Sequence, residues 1–353
     1  MGKIAFKGYR RLLLATILIS VFFASGCSVS TLSEKIFGKT QAQANIPADF
    51  VHIDQQDLNK VVTDMINNAK KSIYVEQYQF DRKDLMDLLA SRAKQGLDVK
   101  VLIDQSARSA KDTYNYLRAH GVNVQYYPTQ KGQFLKVKLL SVDGSRALIG
   151  GNDWSSNSAV DHDVALELNN KSAFTAASVF ARDWKFSTAY DLNLSAPSLP
   201  DDHILLATNA NILSQVTRQI QAAKTSIKIE LPQLTYPPEL LTALSDFASS
   251  GKTVQVILDA SQQKINQNAI NELKSAGAQV RQYPADVQHK LSAHFALFDD
   301  SVSIVGSVNW TRSSFTYNHE LVVIVPSKAV GAKLSQQFEA DWQKSKDVGS
   351  QAK

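Results

Sequence analysis

Apolar positions along this chain follow two alternating rhythms, and the whole alternation runs through twice. From Leu58 to Ala69 apolar residues recur at three- and four-residue intervals, the spacing of a helix with one buried face. That stretch leads into the β-branched run Ser72–Glu76, which reads as a buried strand. A second helix is expected from Asp84 to Gln95, closed by Gly96, as helices commonly are. An apolar strand follows, then a helix ending at Gly121 and a short strand before Tyr127-Pro128. The same order returns as helix Ile212–Ala223, strand Ser226–Glu230, helix Glu239–Ser249 closed by Gly251, a strand, a helix ending at Gly277, and a strand before Tyr283-Pro284. Helices alternating with buried strands predict an α/β fold whose sheets carry helices on both faces.

The two runs can be laid on one another residue by residue. Ala69-Lys70-Lys71-Ser72-Ile73-Tyr74-Val75-Glu76 matches Ala223-Lys224-Thr225-Ser226-Ile227-Lys228-Ile229-Glu230. Gly96 through Asp104 matches Gly251 through Asp259, and Gly121 with Tyr127-Pro128 matches Gly277 with Tyr283-Pro284. A nearly constant offset over such a length marks an internal duplication of a unit of about 150 residues. The expected lobes are residues 49–194 and 203–346, joined by a linker over 195–202 that contains Pro197 and Pro200.

The first residues stand apart from this pattern. A basic start (Lys3, Lys7, Arg10, Arg11), an apolar run from Leu12 to Ala24 and small residues before Cys27 have the layout of a secretory signal over 1–26. The apolar run is short for a bilayer span. Cys27 is the only cysteine, and Phe23-Ala24-Ser25-Gly26-Cys27 resembles a bacterial lipoprotein cleavage site. That resemblance implies an acylated Cys27 and an extracytoplasmic protein, lipid-anchored to a bacterial membrane; otherwise the segment is an ordinary signal with an incidental cysteine. Residues 28–48, rich in Ser, Thr, Gln and Ala, read as a flexible tether. With no other thiol, the mature chain excludes disulfides and cysteine-ligated metal. The formal charge of +5 also changes meaning: removing the four basic residues before Cys27 leaves 34 basic against 33 acidic residues. A near-neutral total gives no general attraction to nucleic acid, so a nucleic-acid partner is not expected.

Polar features gather in the last third of each unit. The first carries Lys136-Val137-Lys138, Asp143-Gly144 and Gly150-Gly151-Asn152-Asp153-Trp154. The second carries Ser292-Ala293-His294, Asp299-Asp300 and Gly306-Ser307-Val308-Asn309-Trp310, at a constant offset of 156. Downstream lie Asp161-His162-Asp163 and Asn318-His319-Glu320, each followed by an apolar strand. Lys136 and Lys138 also suit solvated strand ends, and Asp143 and Asp299 also suit turns.

This doubled arrangement resembles the phospholipase D superfamily, whose signature is His-x-Lys-x4-Asp followed after six residues by Gly-Ser-x-Asn. The likeness covers roughly residues 50–345. It implies two similar lobes with mixed sheets flanked by helices, related by a pseudo-twofold axis, with the site at their junction. A monomer would thus contain an internal pseudo-dimer. The family's chemistry, as the resemblance implies it, uses one histidine as nucleophile on phosphorus and the other as acid for the leaving group. Lysines and asparagines hold the phosphoryl oxygens, and no metal or other cofactor is required. Such chemistry needs positive charge on the phosphodiester oxygens and a proton for the departing alkoxide.

The chain departs from the signature where the reaction would occur. Lys136 and Ser292 hold the two histidine positions, His294 holds the second lysine position, and Asp153 holds the first asparagine position. Catalytic duty therefore falls on Lys136, Ser292 and His294; alternate residues of a strand share a face, so His294 points where Ser292 does. Mutual repulsion between Lys136 and Lys138 lowers their pKa values, which would let Lys136 donate a proton. Lys138, Asn309 and Ser307 are expected to bind phosphate, with Asp143, Asp299, Asp163 and Glu320 in support. Two function classes follow: a phosphodiesterase acting by hydrolysis or transfer on phospholipid, or a phosphate-binding relative without turnover; a nuclease-like or DNA-binding role, which the resemblance also implies, is opposed by the near-neutral charge.

Overall fold

The computed structural model describes residues 42–348 except 152, 159, 196, 236 and 285–288. The expected signal, Cys27 and the tether up to residue 41 lie outside the described residues, as does Asn152. No helix among the described residues is long and apolar enough to cross a membrane.

The first lobe runs β1 (Val51–Ile53), α1 (Asp54–Asn68), β2 (Ser72–Gln77), α2 (Lys83–Lys94), β3 (Asp98–Asp104), α3 (Ala110–Ala119), β4 (Asn123–Tyr127), β5 (Leu139–Val142), β6 (Arg146–Gly150), β7 (Val164–Asn169) and α4 (Asn170–Thr188). The second repeats the order as β8 (Leu205–Thr208), α5 (Ala210–Ala222), β9 (Ser226–Leu231), α6 (Pro238–Ser249), β10 (Thr253–Asp259), α7 (Gln263–Ser275), β11 (Gln279–Tyr283), β12 (Phe295–Phe298) and β13 (Val302–Gly306). It then adds the short α8 (Arg312–Thr316) before β14 (Leu321–Val325), α9 (Lys328–Lys344) and β15 (Lys346–Asp347). The sheets are ordered β1-β7-β6-β5-β2-β3-β4 and β8-β14-β13-β12-β9-β10-β11-β15. In each, three strands are parallel (β2, β3, β4; β9, β10, β11) and the rest pair antiparallel. Predicted elements and observed ones coincide within a few residues. The largest shift is at α1, which starts four residues before Leu58 because its first turn, Asp54-Gln55-Gln56-Asp57, is polar and carries no apolar signal.

Alternation along the strands assigns each face. Ile73 and Val75 of β2 point to a core built with Met65, Ile66, Leu85 and Leu89 of α1 and α2. Tyr74 points the other way, into a core shared by both lobes. That shared core takes Leu139, Ile149 and Leu166 from the first sheet, Phe295, Val305 and Val323 from the second, and Phe180 and Phe338 from α4 and α9. Helices do cover both sheet faces, but the inner face of each lobe is completed by the opposite lobe.

Backbone pairing holds the junction in register. Leu135 bridges His319, and Leu291 bridges His162. The Lys136 N–H donates to the His319 carbonyl and the His319 N–H to the Phe134 carbonyl, both at 2.8 Å. Reciprocally, the Ser292 N–H donates to the His162 carbonyl at 2.8 Å and the His162 N–H to the Lys290 carbonyl at 2.9 Å. Each motif segment is thus paired with the lobe it does not belong to. The motif glycine that follows serves packing: a Cβ on Gly306 would lie 2.5 Å from the Leu321 carbonyl oxygen, so only glycine lets β14 pass this close.

Asp143 and Asp299 do turn work rather than chemistry. Both sit at positive φ (56° and 53°) after β5 and β12. The Asp299 carboxylate accepts the N–H groups of Lys224, Thr225 and Ser226 at 2.9, 2.8 and 3.0 Å, clamping the end of α5 to the start of β9. Asp143 does the same for Lys70, Lys71 and Ser72. Partial burial works to raise the Asp299 pKa, and the backbone donors outweigh it and hold the carboxyl below its ordinary value. A depressed carboxyl pKa supplies stability above the ordinary carboxylate range and loses it as pH falls through the folded value. Asp299→Ala is expected to cost about 1–3 kcal/mol at neutral pH, water re-solvating the outer donors, and nearly nothing in strong acid. Urea denaturation of both proteins across pH 3–7 checks it.

Candidate functional site

A cavity of about 340 Å³ opens where the two motif segments face each other. Tyr78, Lys136, Lys138 and Asp153 line it from the first lobe, and Gln233, Ser292, His294, Ser307, Asn309 and Glu320 from the second. A larger hollow of about 560 Å³ at Lys100, Trp184 and Tyr190 holds none of the motif residues. Residues 136–138 and 292–294 were expected within strands; they form the irregular stretches leading into β5 and β12. Ser292 and His294 nonetheless both line the cavity.

The lysines of the first lobe are not surface lysines. The Lys136 ammonium lies 3.1 Å from the centre of the Tyr78 ring, a cation–π contact. Burial lowers the Lys136 pKa, and Lys138 adds to the fall against the opposing pull of Asp153 and Glu320. Lys138 is largely but not fully buried, 11% of its side chain remaining exposed, with its Nζ 3.8 Å from Asp163 Oδ2 and 3.9 Å from Asp153 Oδ1. Burial works to lower the Lys138 pKa, but these carboxylates prevail and it is raised. Lys138 therefore brings its own counter-ions into the cleft. Asp163, pushed up to about 7 by burial despite Lys138 beside it, is one of them.

The second lobe faces this pair with a neutral imidazole. Burial, then Lys138 and Lys136, pull the His294 pKa down to about 3, and the acceptor oxygens of the Ser292 backbone and the Asn309 side chain, which work to raise it, do not restore it. Its Nε2 is buried without a hydrogen-bond partner among the described residues. The Ser292 hydroxyl donates across the junction to Asp161 Oδ2 at 3.3 Å. The Ser307 hydroxyl, expected on phosphate, donates to Glu320 instead. Asn309 Oδ1 accepts the Gln233 N–H at 3.1 Å. Glu320, buried, is pushed up to about 7, opposed by its bonds from Ser307 and Asn318.

The structure thus brings Lys136, Lys138, Ser292, His294, Ser307, Asn309 and Glu320 together, with Asp163 behind Lys138. It leaves Asp143 and Asp299 at the far ends of β5 and β12. Sequence reasoning missed Asp161, which fixes Ser292 and also accepts the Lys290 N–H at 3.0 Å, and Tyr78, the floor under Lys136. Their signal was the repeat itself: Tyr78 stands just past the duplicated strand β2, and Asp161 opens one of the paired Asp/Asn-His-Asp/Glu triplets.

Comparison with known proteins agrees with this geometry. A family model described as cardiolipin synthase, PLD-like domain, matches residues 62–184 and 216–342, one match per lobe. The cardiolipin synthase of Clostridium perfringens strain 13 is 23% identical over 337 residues, covering 82% of this chain and 69% of the relative. Cardiolipin synthase 1 of Staphylococcus epidermidis ATCC 12228 is 24% identical over 333 residues, covering 83% and 67%. Among solved structures, phosphatidylserine synthase of Haemophilus influenzae Rd KW20 superposes with a TM-score of 0.68 at 14% identity, covering 91% of this chain and 92% of that one. Polyphosphate kinase of Porphyromonas gingivalis gives 0.61 at 14% identity, covering 83% and 47%. At such identities the two structures speak for the fold alone.

The state of His294 has a thermodynamic signature. Between about pH 3 and the ordinary value of 6.5 the unfolded chain binds a proton at residue 294 that the folded chain refuses. This group therefore contributes a loss of stability as pH drops through that window, set against the opposite contribution of the raised carboxyls Asp163 and Glu320. Replacing His294 by Gln is expected to remove this contribution, so that the urea midpoint falls less, or rises more, from pH 7.5 to pH 5 than in the parent protein.

Proposed function

This chain belongs to the phospholipase D-like family of cardiolipin synthase type, and on that premise we propose that its interlobe cleft binds the phosphodiester of a phospholipid headgroup without running the family's two-histidine reaction. One observation carries this reading: the cleft imidazole among the described residues is His294, neutral, without a carboxylate partner, and two residues past the position where the reaction needs it. Attack on phosphorus needs an oriented nucleophile, and protonation of the leaving alkoxide needs an acid opposite it. Lys136 and Ser292 occupy those two positions. Lys136 rests on Tyr78, and Ser292 donates across the junction to the Asp161 carboxylate, with no imidazole as its base.

What remains is a set of groups suited to holding an anion. Lys136 and Lys138 supply charge, Asn309 supplies an amide, and the orphaned Nε2 of His294 supplies a further contact. Asp153 tempers the charge by pairing with Lys138. The same orphaned Nε2 favours a second reading, in which His294 attacks phosphorus and Lys136, its ammonium made more acidic by burial, protonates the leaving oxygen. A displacement of about 1 Å costs such a nucleophile about a hundredfold in rate. The anchor expected at Cys27 would place the cleft beside a bilayer; in that case Cys27→Ala moves the protein from the membrane fraction to the soluble one.

The test is headgroup release and sedimentation with phosphatidylglycerol vesicles, run beside a variant carrying Lys136→His, Ser292→His and His294→Lys. Binding without turnover by the natural protein, with turnover gained by the variant, is the expected result. Turnover by the natural protein that His294→Ala abolishes replaces the first reading by the second. Asp153→Asn, which removes one counter-ion of Lys138, is expected to tighten vesicle binding several-fold, by about 1 kcal/mol; weaker binding would show that Lys138 does not face the ligand.

A further inference from the structure

Each lobe sends a histidine into an acidic site of the other, away from the cleft. His162 places Nδ1 2.5 Å from Asp54 Oδ1 and Nε2 3.0 Å from Asp341 Oδ2, with Glu230 Oε1 at 3.3 Å. Its counterpart His319 places Nδ1 2.8 Å from Asn209 Oδ1 and Nε2 2.9 Å from Asp183 Oδ2. Glu76 stands where Glu230 stands in the first site. All three members of each acidic trio, histidine included, are buried.

The two sites are related by the duplication but are not balanced alike. Asp341 also accepts from Lys344 at 3.1 Å and from Gln337 at 2.7 Å, and Glu230 has the His162 nitrogen beside it. At the matching positions in the first lobe stand Phe186 for Lys344 and Val179 for Gln337. Arg182 reaches Asp183 at 3.2 Å, but its side chain is 54% exposed. Glu76 and Glu230 are both 0% exposed, and none of their carboxylate oxygens has a hydrogen-bond partner among the described residues, but Glu230 has the His162 nitrogen at 3.3 Å to balance it. A fully buried carboxylate left like Glu76 is costly unless something cationic faces it.

The tautomer of His319 fits the same demand. Asn209 Oδ1 also accepts the Glu320 N–H at 3.2 Å, which identifies it as the amide oxygen, an acceptor only. It therefore takes a hydrogen from His319 Nδ1; without a metal the ring must carry a second hydrogen on Nε2 to bond Asp183 Oδ2 across 2.9 Å, and a cation in that place would be met by the Nε2 lone pair instead. A carbonyl fixing one ring nitrogen so that the other can ligate is the usual outer support of a metal-bound histidine.

We propose that Glu76, Asp183 and His319 hold a divalent transition-metal cation of the Zn²⁺ class, pinning the second lobe's His319 to the first lobe. One atom from each residue lies within 4.8 Å of the others. Bonds of about 2.0–2.2 Å require ligand separations of about 3–3.6 Å, a contraction that side-chain rotation supplies. One nitrogen and two carboxylates suit Zn²⁺ or Mn²⁺, and two carboxylates cancel the charge of the ion. In the sister site Lys344 and the His162 imidazole already do that work, so it is not expected to bind.

The experiment uses the full chain loaded with Zn²⁺, dialysed against metal-free buffer and assayed by elemental mass spectrometry. About one retained Zn²⁺ per chain is expected, lost in Glu76→Gln and kept in Glu230→Gln, with the melting temperature raised by Zn²⁺ only where the ion is retained. Absence of Zn²⁺ from the natural protein, or its full retention in Glu76→Gln, overturns the proposal. If Glu76→Gln fails to fold, Co²⁺ added to the natural protein decides. Paramagnetic shifts of the His319 imidazole but not of His162 support the site; shifts of neither, or of His162 alone, refute it. Histidine–carboxylate ion pairing without metal is the arrangement that would then remain.

Discussion

Two short backbone pairings between the lobes, Phe134–Lys136 against His319 and Lys290–Ser292 against His162, are what the rest of the molecule depends on. A buried peptide group must find a partner, and here the partner lies on the other lobe. Those bonds set the register of the junction, bring the two motif segments face to face and carry His162 and His319 into the opposite lobe. The shared core of Leu139, Ile149, Phe295 and Val305 closes behind them. Removing one lobe would strip the other of both its inner apolar cover and the partners of its motif backbone.

Within that symmetric frame the chemistry is asymmetric. By the duplication Lys138 corresponds to His294, Asp153 to Asn309 and Asp163 to Glu320. The first member of each pair gathers into one ion-paired group around Lys138, while the second members are a neutral imidazole, an amide and the buried Glu320 carboxyl. Because both walls enclose the same small volume, charge on one acts on the other: burial first, and then the lysines, keep the His294 imidazole neutral. The cleft is therefore divided into a cationic side carrying its own counter-ions and a side built from an imidazole, an amide and a buried carboxyl.

The sequence made the architecture readable and left much of the site hidden, for physical reasons. Helix and strand periods, and the glycines closing α2, α3, α6 and α7, are local, so the elements could be placed from the residues themselves. The duplication then supplied the lobes, and Lys136, Lys138, Ser292, His294 and Asn309 were legible because motif spacing survives substitution. Asp143 and Asp299 were legible as turn residues, but the amide clamp they close on residues about 70 positions earlier is something that spacing within the motif cannot reveal. Asp161 and Tyr78 were missed because their partners, Ser292 and Lys136, are reached only across the junction or from another strand. The unequal settings of Glu76 and Glu230 were likewise invisible, since what separates them lies on α4 and α9, far along the chain.

The reciprocal junction also bears on how such a chain can change over time. Its two halves meet through matching surfaces, the kind of contact two identical molecules make about a twofold axis. In an assembly of identical copies, any substitution at the junction would appear twice, on both walls at once. Joined in one chain, the halves are released from that constraint. A lysine can settle where its twin is a histidine, and an aspartate where its twin is an asparagine, while Gly306 and the paired backbones keep the shape. Covalent linkage has made the cleft a place where one wall can be rewritten with the other held fixed.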